Sequence, residues 1–329
     1  MERALWHEAL RGDRGGRSPA ATRRVAVASL VVSALAGAGW AGVAIGPPAA
    51  GASAPRIVAV GAENQYADVI GQIGGRYVAV TAVMSNPNTD PHTFEASPRV
   101  AQMVGSAQLV VQNGLGYDSF MGKIESAAPD ARRKVIDVQT LLGLPDTTAN
   151  PHLWYKPTTM PAVAQAIGAD LSTLQPAHRA YFTANVTRFD ASLDGWQAAI
   201  DQLRADDPGA PVATTEPVAD DMLQAAGIDD LTPFAFQADV MNGVDPAPED
   251  VALEERLLTG HRVKALVYNQ QVTDTLTQSL VSLAHQQHIA VVGVYETMPT
   301  PGYHYQSWMV AEVKALTAAL LHGTSGPRL

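Results

Sequence analysis

The chain has 329 residues, 47% of them hydrophobic, and a net charge of −10. That length accommodates two domains with a real core, and the acidic balance, with no basic run beyond the N-terminus, argues against nucleic acid as a partner. There is no cysteine, which excludes disulfides, thiolate metal sites and a lipid-modified cysteine; any metal has to be held by His, Asp, Glu or main-chain oxygen.

Residues 1–54 differ from everything that follows. Arg11, Arg14, Arg17, Arg23 and Arg24 precede an uncharged run over 25–54, which ends in Pro47-Pro48 and then Ala52-Ser53-Ala54, a small-residue cleavage pattern. We read 1–54 as a secretion signal with a long positive leader. The alternative is an uncleaved N-terminal membrane anchor, because 25–45 is just long enough to span a bilayer. Either reading puts the body outside the cytoplasmic membrane, in the periplasm or on the cell surface.

Residues 55–157 form a first α/β lobe. Arg56-Ile57-Val58-Ala59-Val60 is a short apolar strand. A helix over 63–73 follows, with Tyr66, Val69, Ile70 and Ile73 at helical spacing and Gly74-Gly75 as its stop. The β-branched run 77–84 is a second strand, and Asn88-Thr89-Asp90-Pro91-His92 lies just beyond it. Ser97-Pro98 opens another helix, 108–112 is a third strand ended by Asn113-Gly114, and 135–138 is a fourth. Alternation of this kind implies parallel α/β units. A second Asx-Pro-His step, Asn150-Pro151-His152, closes the lobe.

Residues 158–206 are helical without strand signals. The helix over 159–174 is amphipathic. After Pro176 the periodicity predicts one helix to about residue 203, carrying Phe182, Phe189, Leu193, Trp196 and Ile200. About 27 residues in a helix span about 40 Å, a stiff connection between lobes. Residues 207–329 form a second α/β lobe. It has strands at 211–215, 263–268 and 289–295 and helices at 218–226, 246–258, 274–285 and 308–322.

His92, Glu216 and Glu296 each follow the carboxyl end of a predicted strand, and His152 sits on the loop entering the connecting helices. Ligands of open α/β sheets collect at those strand ends. Proline beside His92, His152 and Glu216 stiffens each presenting loop. Two imidazoles and two carboxylates suit Zn²⁺ or Mn²⁺, and the carboxylates would bring a bound dication near neutrality.

On these residues the chain resembles the zinc- and manganese-binding periplasmic receptors of ABC importers. The resemblance rests on Asp90-Pro91-His92, Asn150-Pro151-His152-Leu153-Trp154, Thr215-Glu216-Pro217, Val292-Gly293-Val294-Tyr295-Glu296 and the strand and turn from Leu109 to Gly114, and it covers about residues 56–322. It implies two Rossmann-like lobes with parallel sheets, joined by a long rigid helix, and a metal site in the interlobe cleft. Matched residue by residue, the ligands are His92 and His152 from the first lobe and Glu216 and Glu296 from the second. Three features depart from the family pattern. Asn150 stands where members often have Asp, Glu296 stands where Asp is most frequent, and 122–150 lacks the His-rich loop of many zinc receptors. The missing loop and the pair of carboxylates, Glu216 and Glu296, tilt the ligand set toward manganese, although zinc binds such N/O sites more tightly in general.

The expected protein is a monomeric solute-binding protein that captures Zn²⁺ or Mn²⁺ and delivers it to an ABC-type permease, with no catalytic role. The competing expectations are a metal-dependent hydrolase of the same compartment, with Glu296 as base, and a receptor for another solute in which the histidines are structural. His178, His261, His285, His288 and His304 are read as surface or loop residues, and Asp220, Asp221, Asp229 and Asp230 as helix-end and loop charges.

Overall fold

The structure is a computed structural model that describes residues 55–87, 94–299 and 301–329. The leader read at 1–54, and His92 with its Asp90-Pro91 step, lie outside the described residues. Among the described residues no helix is long and apolar enough to cross a membrane.

The first lobe runs β1 (Ile57–Glu63), α1 (Asn64–Gly74), β2 (Val78–Met84), α2 (Pro98–Gly105), β3 (Leu109–Gln112), α3 (Phe120–Ala127), β4 (Lys134–Asp137) and α4 (Val138–Leu141). Its four parallel strands lie in the order β2-β1-β3-β4, with Ala59 opposite both Val80 and Leu109. Val, Ile and Leu fill these strands because helices cover both faces of the sheet. Gly61 in β1 has no room for a side chain, since a Cβ there would meet the Ala67 backbone nitrogen at 2.5 Å. That close approach lets α1 turn directly back on its own strand.

Three helices follow: α5 (Thr159–Leu174), α6 (Arg179–Ser192) and α7 (Asp194–Asp206). The single helix expected after Pro176 is therefore two, broken at Leu193. At the break the Ser192 hydroxyl donates to the Phe189 carbonyl at 2.7 Å and the Leu193 N–H donates to the Asp190 carbonyl at 3.1 Å. Phe182, Phe189, Leu193, Trp196, Ile200 and Leu203 are all buried, so the apolar stripe continues across the break. Periodicity alone reads such a stripe as one helix.

The second lobe runs β5 (Pro211–Thr214), α8 (Asp220–Ala225), β6 (Asp229–Asp230), α9 (Phe234–Met241), α10 (Pro248–Thr259), β7 (Ala265–Asn269), α11 (Thr275–Gln286), β8 (Ala290–Val294) and α12 (Tyr305–His322). Its parallel order, β6-β5-β7-β8, repeats that of the first lobe. Asp229 and Asp230, read as loop charges, form the short strand β6, and α9 has no counterpart among the predicted elements. Both sheets reverse strand order beside their first strand, between β1 and β3 and between β5 and β7. The crevice at such a reversal is where an open α/β sheet binds its ligand.

A single large core joins residues of both lobes and the connecting helices, with Trp154, Trp196 and Trp308 fully buried. The tryptophans meet tyrosines edge to face: Tyr155 on Trp308 at 5.7 Å and Trp196 on Tyr305 at 5.8 Å between ring centroids. Such contacts add to the area buried and fix orientation.

Candidate metal centre

Three of the four sequence-predicted residues lie among the described ones, and all are buried: His152 at 0% exposure, Glu216 at 2% and Glu296 at 0%. His152 sits between Pro151 and a tight turn over Leu153–Tyr155. Glu216 follows β5 and is succeeded by Pro217, and Glu296 follows β8 by two residues. A buried ionisable group needs partners, and each of the three has them.

Asn150 sets the His152 ring. Its Oδ1 accepts the His152 backbone N–H at 3.0 Å and lies 2.8 Å from Nδ1, while its Nδ2 donates to the Pro217 carbonyl at 2.8 Å. Because Oδ1 already acts as acceptor, Nδ1 must carry the ring proton, and this assignment follows from the network. Nε2 then faces inward, 3.3 Å from Glu296 Oε2. Trp154 meets this ring edge to face at 5.4 Å and Tyr117 at 5.2 Å, so it is at once core and wall.

The carboxylates are held from both lobes. Asn269, fully buried at the end of β7, donates through Nδ2 to Glu296 Oε1 at 2.8 Å and to Glu216 Oε2 at 3.1 Å. The Tyr117 hydroxyl donates to Glu296 Oε2 at 2.9 Å. The Gln271 side-chain oxygen accepts the backbone N–H groups of Glu296 and Thr297, each at 2.8 Å. Sequence reasoning missed Tyr117, Asn269 and Gln271. Asn269 could have been found by the rule that selected Glu216 and Glu296, since it too ends a strand.

The surroundings are acidic and buried. Burial, then the neighbouring Asp118, raises the Glu63 carboxyl at the end of β1 well above the usual range. Burial pushes Asp118 up to about 6, against the opposing effect of the Asn113 and Gly114 backbone N–H groups. Burial and then the Glu296 charge raise the Tyr117 hydroxyl well above 10.0, so it stays a donor.

The structure therefore brings His152 and Glu296 into direct contact and ties Glu216 to Glu296 through one amide. Among the described residues no three His, Asp or Glu side chains already form a set that could hold a metal. The other histidines lie elsewhere. His178 stacks on Tyr77 at 3.7 Å, His285 and His288 are exposed, and His304 is exposed just before α12, as expected, with its Nδ1 2.7 Å from Asp68 Oδ1.

A model of the zinc-uptake complex component A periplasmic family matches residues 60–319. The manganese-binding lipoprotein MntA of Bacillus subtilis (strain 168) is 29% identical over 161 residues, 46% of this chain and 52% of that protein. The zinc-binding protein TroA of Treponema pallidum (strain Nichols) is 26% identical over 136 residues, 40% of this chain and 44% of that protein. These matches span about half the length of the relatives. The solved structure of the periplasmic zinc-binding protein TroA from Treponema pallidum superposes with a TM-score of 0.68 at 16% identity, over 82% of this chain and 100% of that one, which shows a shared fold.

Proposed function

The chain belongs to the zinc-uptake complex component A periplasmic family, and on that footing we propose that it is an extracytoplasmic receptor that captures a divalent transition metal, Mn²⁺ or Zn²⁺, for import by an ABC-type permease. The observation that carries the reading is the pair His152 Nε2 and Glu296 Oε2, 3.3 Å apart and buried. With Nδ1 committed to Asn150, the inward nitrogen offers a lone pair to a carboxylate oxygen. Two acceptors in that position need a cation between them, and a proton or a metal ion serves.

Glu216, joined to Glu296 through Asn269, supplies the second carboxylate. His92 completes the proposed set as its second imidazole. Two imidazoles and two carboxylates match the preference of Zn²⁺ and Mn²⁺, and the two negative charges offset that of the ion. Four protein ligands leave no open position for an activated water, so the site binds and releases and performs no chemistry on a substrate. The names of the two relatives, one manganese-binding and one zinc-binding, support either ion as cargo. An exported location is supported by the basic leader with its uncharged run over 25–54 and by the periplasmic family description.

Isothermal titration of metal-free protein with Mn²⁺ and Zn²⁺, alongside His152→Ala and Glu216→Ala, tests the reading. Submicromolar binding of at least one ion, weakened 100-fold or more by each substitution, is the expected result, on the order of a lost ligand bond in a closed site. Binding weaker than micromolar for both ions, or binding indifferent to both substitutions, would overturn it.

A further inference from the structure

Three consecutive polar residues at the tip of the first lobe, Glu63, Asn64 and Gln65, are 0%, 6% and 0% exposed. Burial of polar side chains at the start of a helix calls for partners, and α1 finds them across the molecule. Asn64 Nδ2 donates to the Met298 carbonyl at 2.7 Å, and the Met298 backbone N–H donates to Asn64 Oδ1 at 2.9 Å. Gln65 Nε2 donates to the Glu296 carbonyl at 3.2 Å. One turn on, Asp68 Oδ2 accepts the Tyr305 backbone N–H at 2.9 Å, and Gln72 bonds Gln306 at 3.0 Å. Residues 64, 68 and 72 share one face of α1, opposite the apolar stripe of Tyr66, Val69, Ile70 and Ile73 that enters the core.

We propose that Asn64 is a positioning residue for metal capture: through its two-way bond to Met298 it fixes the loop that bears Glu296 against the first lobe, so that this carboxylate is preset beside His152. The inference rests on the reading of Glu296 as a metal ligand. Glu296 is delivered by β8 of the second sheet, yet its loop is sewn to a helix of the first. The Asn64 amide offers one donor and one acceptor to the backbone C=O and N–H of a single residue, as an opposed residue does in a hydrogen-bonded pair of an antiparallel β-ladder. A leucine keeps the volume and loses both bonds. An aspartate keeps the acceptor and sets an anion against the Met298 carbonyl. In either case Met298, 3% exposed, has a backbone donor or acceptor left unpaired.

A preset ligand lowers the ordering cost at capture and slows release, because the carboxylate cannot swing away while its loop is held. The test uses the full chain loaded with Co²⁺, whose d–d absorption reports ligand geometry, and measures release to an excess of chelator. Asn64→Leu and Asn64→Asp are each expected to speed release about tenfold, the loss of one to two buried hydrogen bonds. Both should also shift the d–d bands, with the metal-free circular dichroism spectrum preserved. Parental release rates and unchanged bands in both variants, alongside loss of binding in Glu296→Ala, would sink the proposal and leave the site reading intact. Unaltered Co²⁺ binding by Glu296→Ala removes the site reading itself. Loss of the folded spectrum in both Asn64 variants also overturns the proposal, since it assigns Asn64 to the core.

Discussion

The Tyr117 hydroxyl, from the first lobe, donates at 2.9 Å to Glu296 Oε2 from the second, and that same oxygen faces His152 Nε2. One carboxylate oxygen thus receives a phenol from one side and an imidazole from another. The phenol restrains the carboxylate rotamer, and it sets how much negative charge the oxygen can offer to a cation.

Tyr117→Phe removes that donor and keeps the ring that packs on Trp154. Groups that orient a metal ligand from behind are worth about 10- to 100-fold in affinity. Calorimetric titration with Mn²⁺ or Zn²⁺ is expected to show binding weakened by about tenfold or more, with the thermal midpoint of the metal-free protein little changed.

Asn269 bridges the two carboxylates, donating through one Nδ2 to both Glu216 and Glu296. Asn269→Leu leaves both carboxylates buried with a donor removed, at a cost of about 1–3 kcal/mol to the metal-free fold. Urea denaturation at neutral pH should reveal that loss. Saturating metal should recover part of it, because a bound cation replaces the missing donor in neutralising the pair.

Buried carboxyls outside the proposed ligand set make the metal-free fold sensitive to alkali. Burial raises Glu312 and Glu254 from 4.5 to about 8 and Asp220 from 3.8 to about 7. The folded protein therefore holds protons that the unfolded chain has released. The associated stability is complete below the unfolded values and is lost as pH rises through the folded ones. Thermal midpoints measured with chelator present are expected to fall from about pH 5 to about pH 8. Glu312→Gln, which preserves an acceptor for Trp308 Nε1 and the Tyr155 hydroxyl, should flatten that slope.

Asp274 caps α11 away from the proposed centre, accepting the Thr277 N–H at 2.6 Å while the Thr277 hydroxyl accepts the Asp274 N–H at 3.0 Å. Asp274→Ala is expected to cost about 1 kcal/mol in denaturant unfolding. Metal affinity should stay at the parental value. A change there would show that stability and binding are coupled through the whole second lobe.

Much of the architecture could be read directly. Strands of 4–7 residues rich in Val and Leu, punctuated by glycine and separated by helical spacing, define parallel α/β units because each pattern is local. Glu216 and Glu296 were picked out by the rule that ligands gather after strand ends, and His152 by the repeated Asx-Pro-His step on the loop entering the connecting helices. Features without a readable period were missed, namely β6 with two residues, the eight-residue helices α3 and α9, and the break at Leu193. At Leu193 the apolar stripe runs on unaltered across the break, so its period carries no sign of it.

What the sequence determined by itself was the alternation of elements and the chemistry on offer: imidazole and carboxylate, and no thiol. Which of these groups meet was decided only by the tertiary structure. Asn64 reaches Met298 across 234 positions, Tyr117 reaches Glu296 across 179, and Asn269 joins two carboxylates that lie 53 and 27 positions away. Hydrogen bonds act over about 3 Å whatever the separation along the chain. No local pattern encodes such partners, and they exist only once two sheets of the same topology face each other across one core.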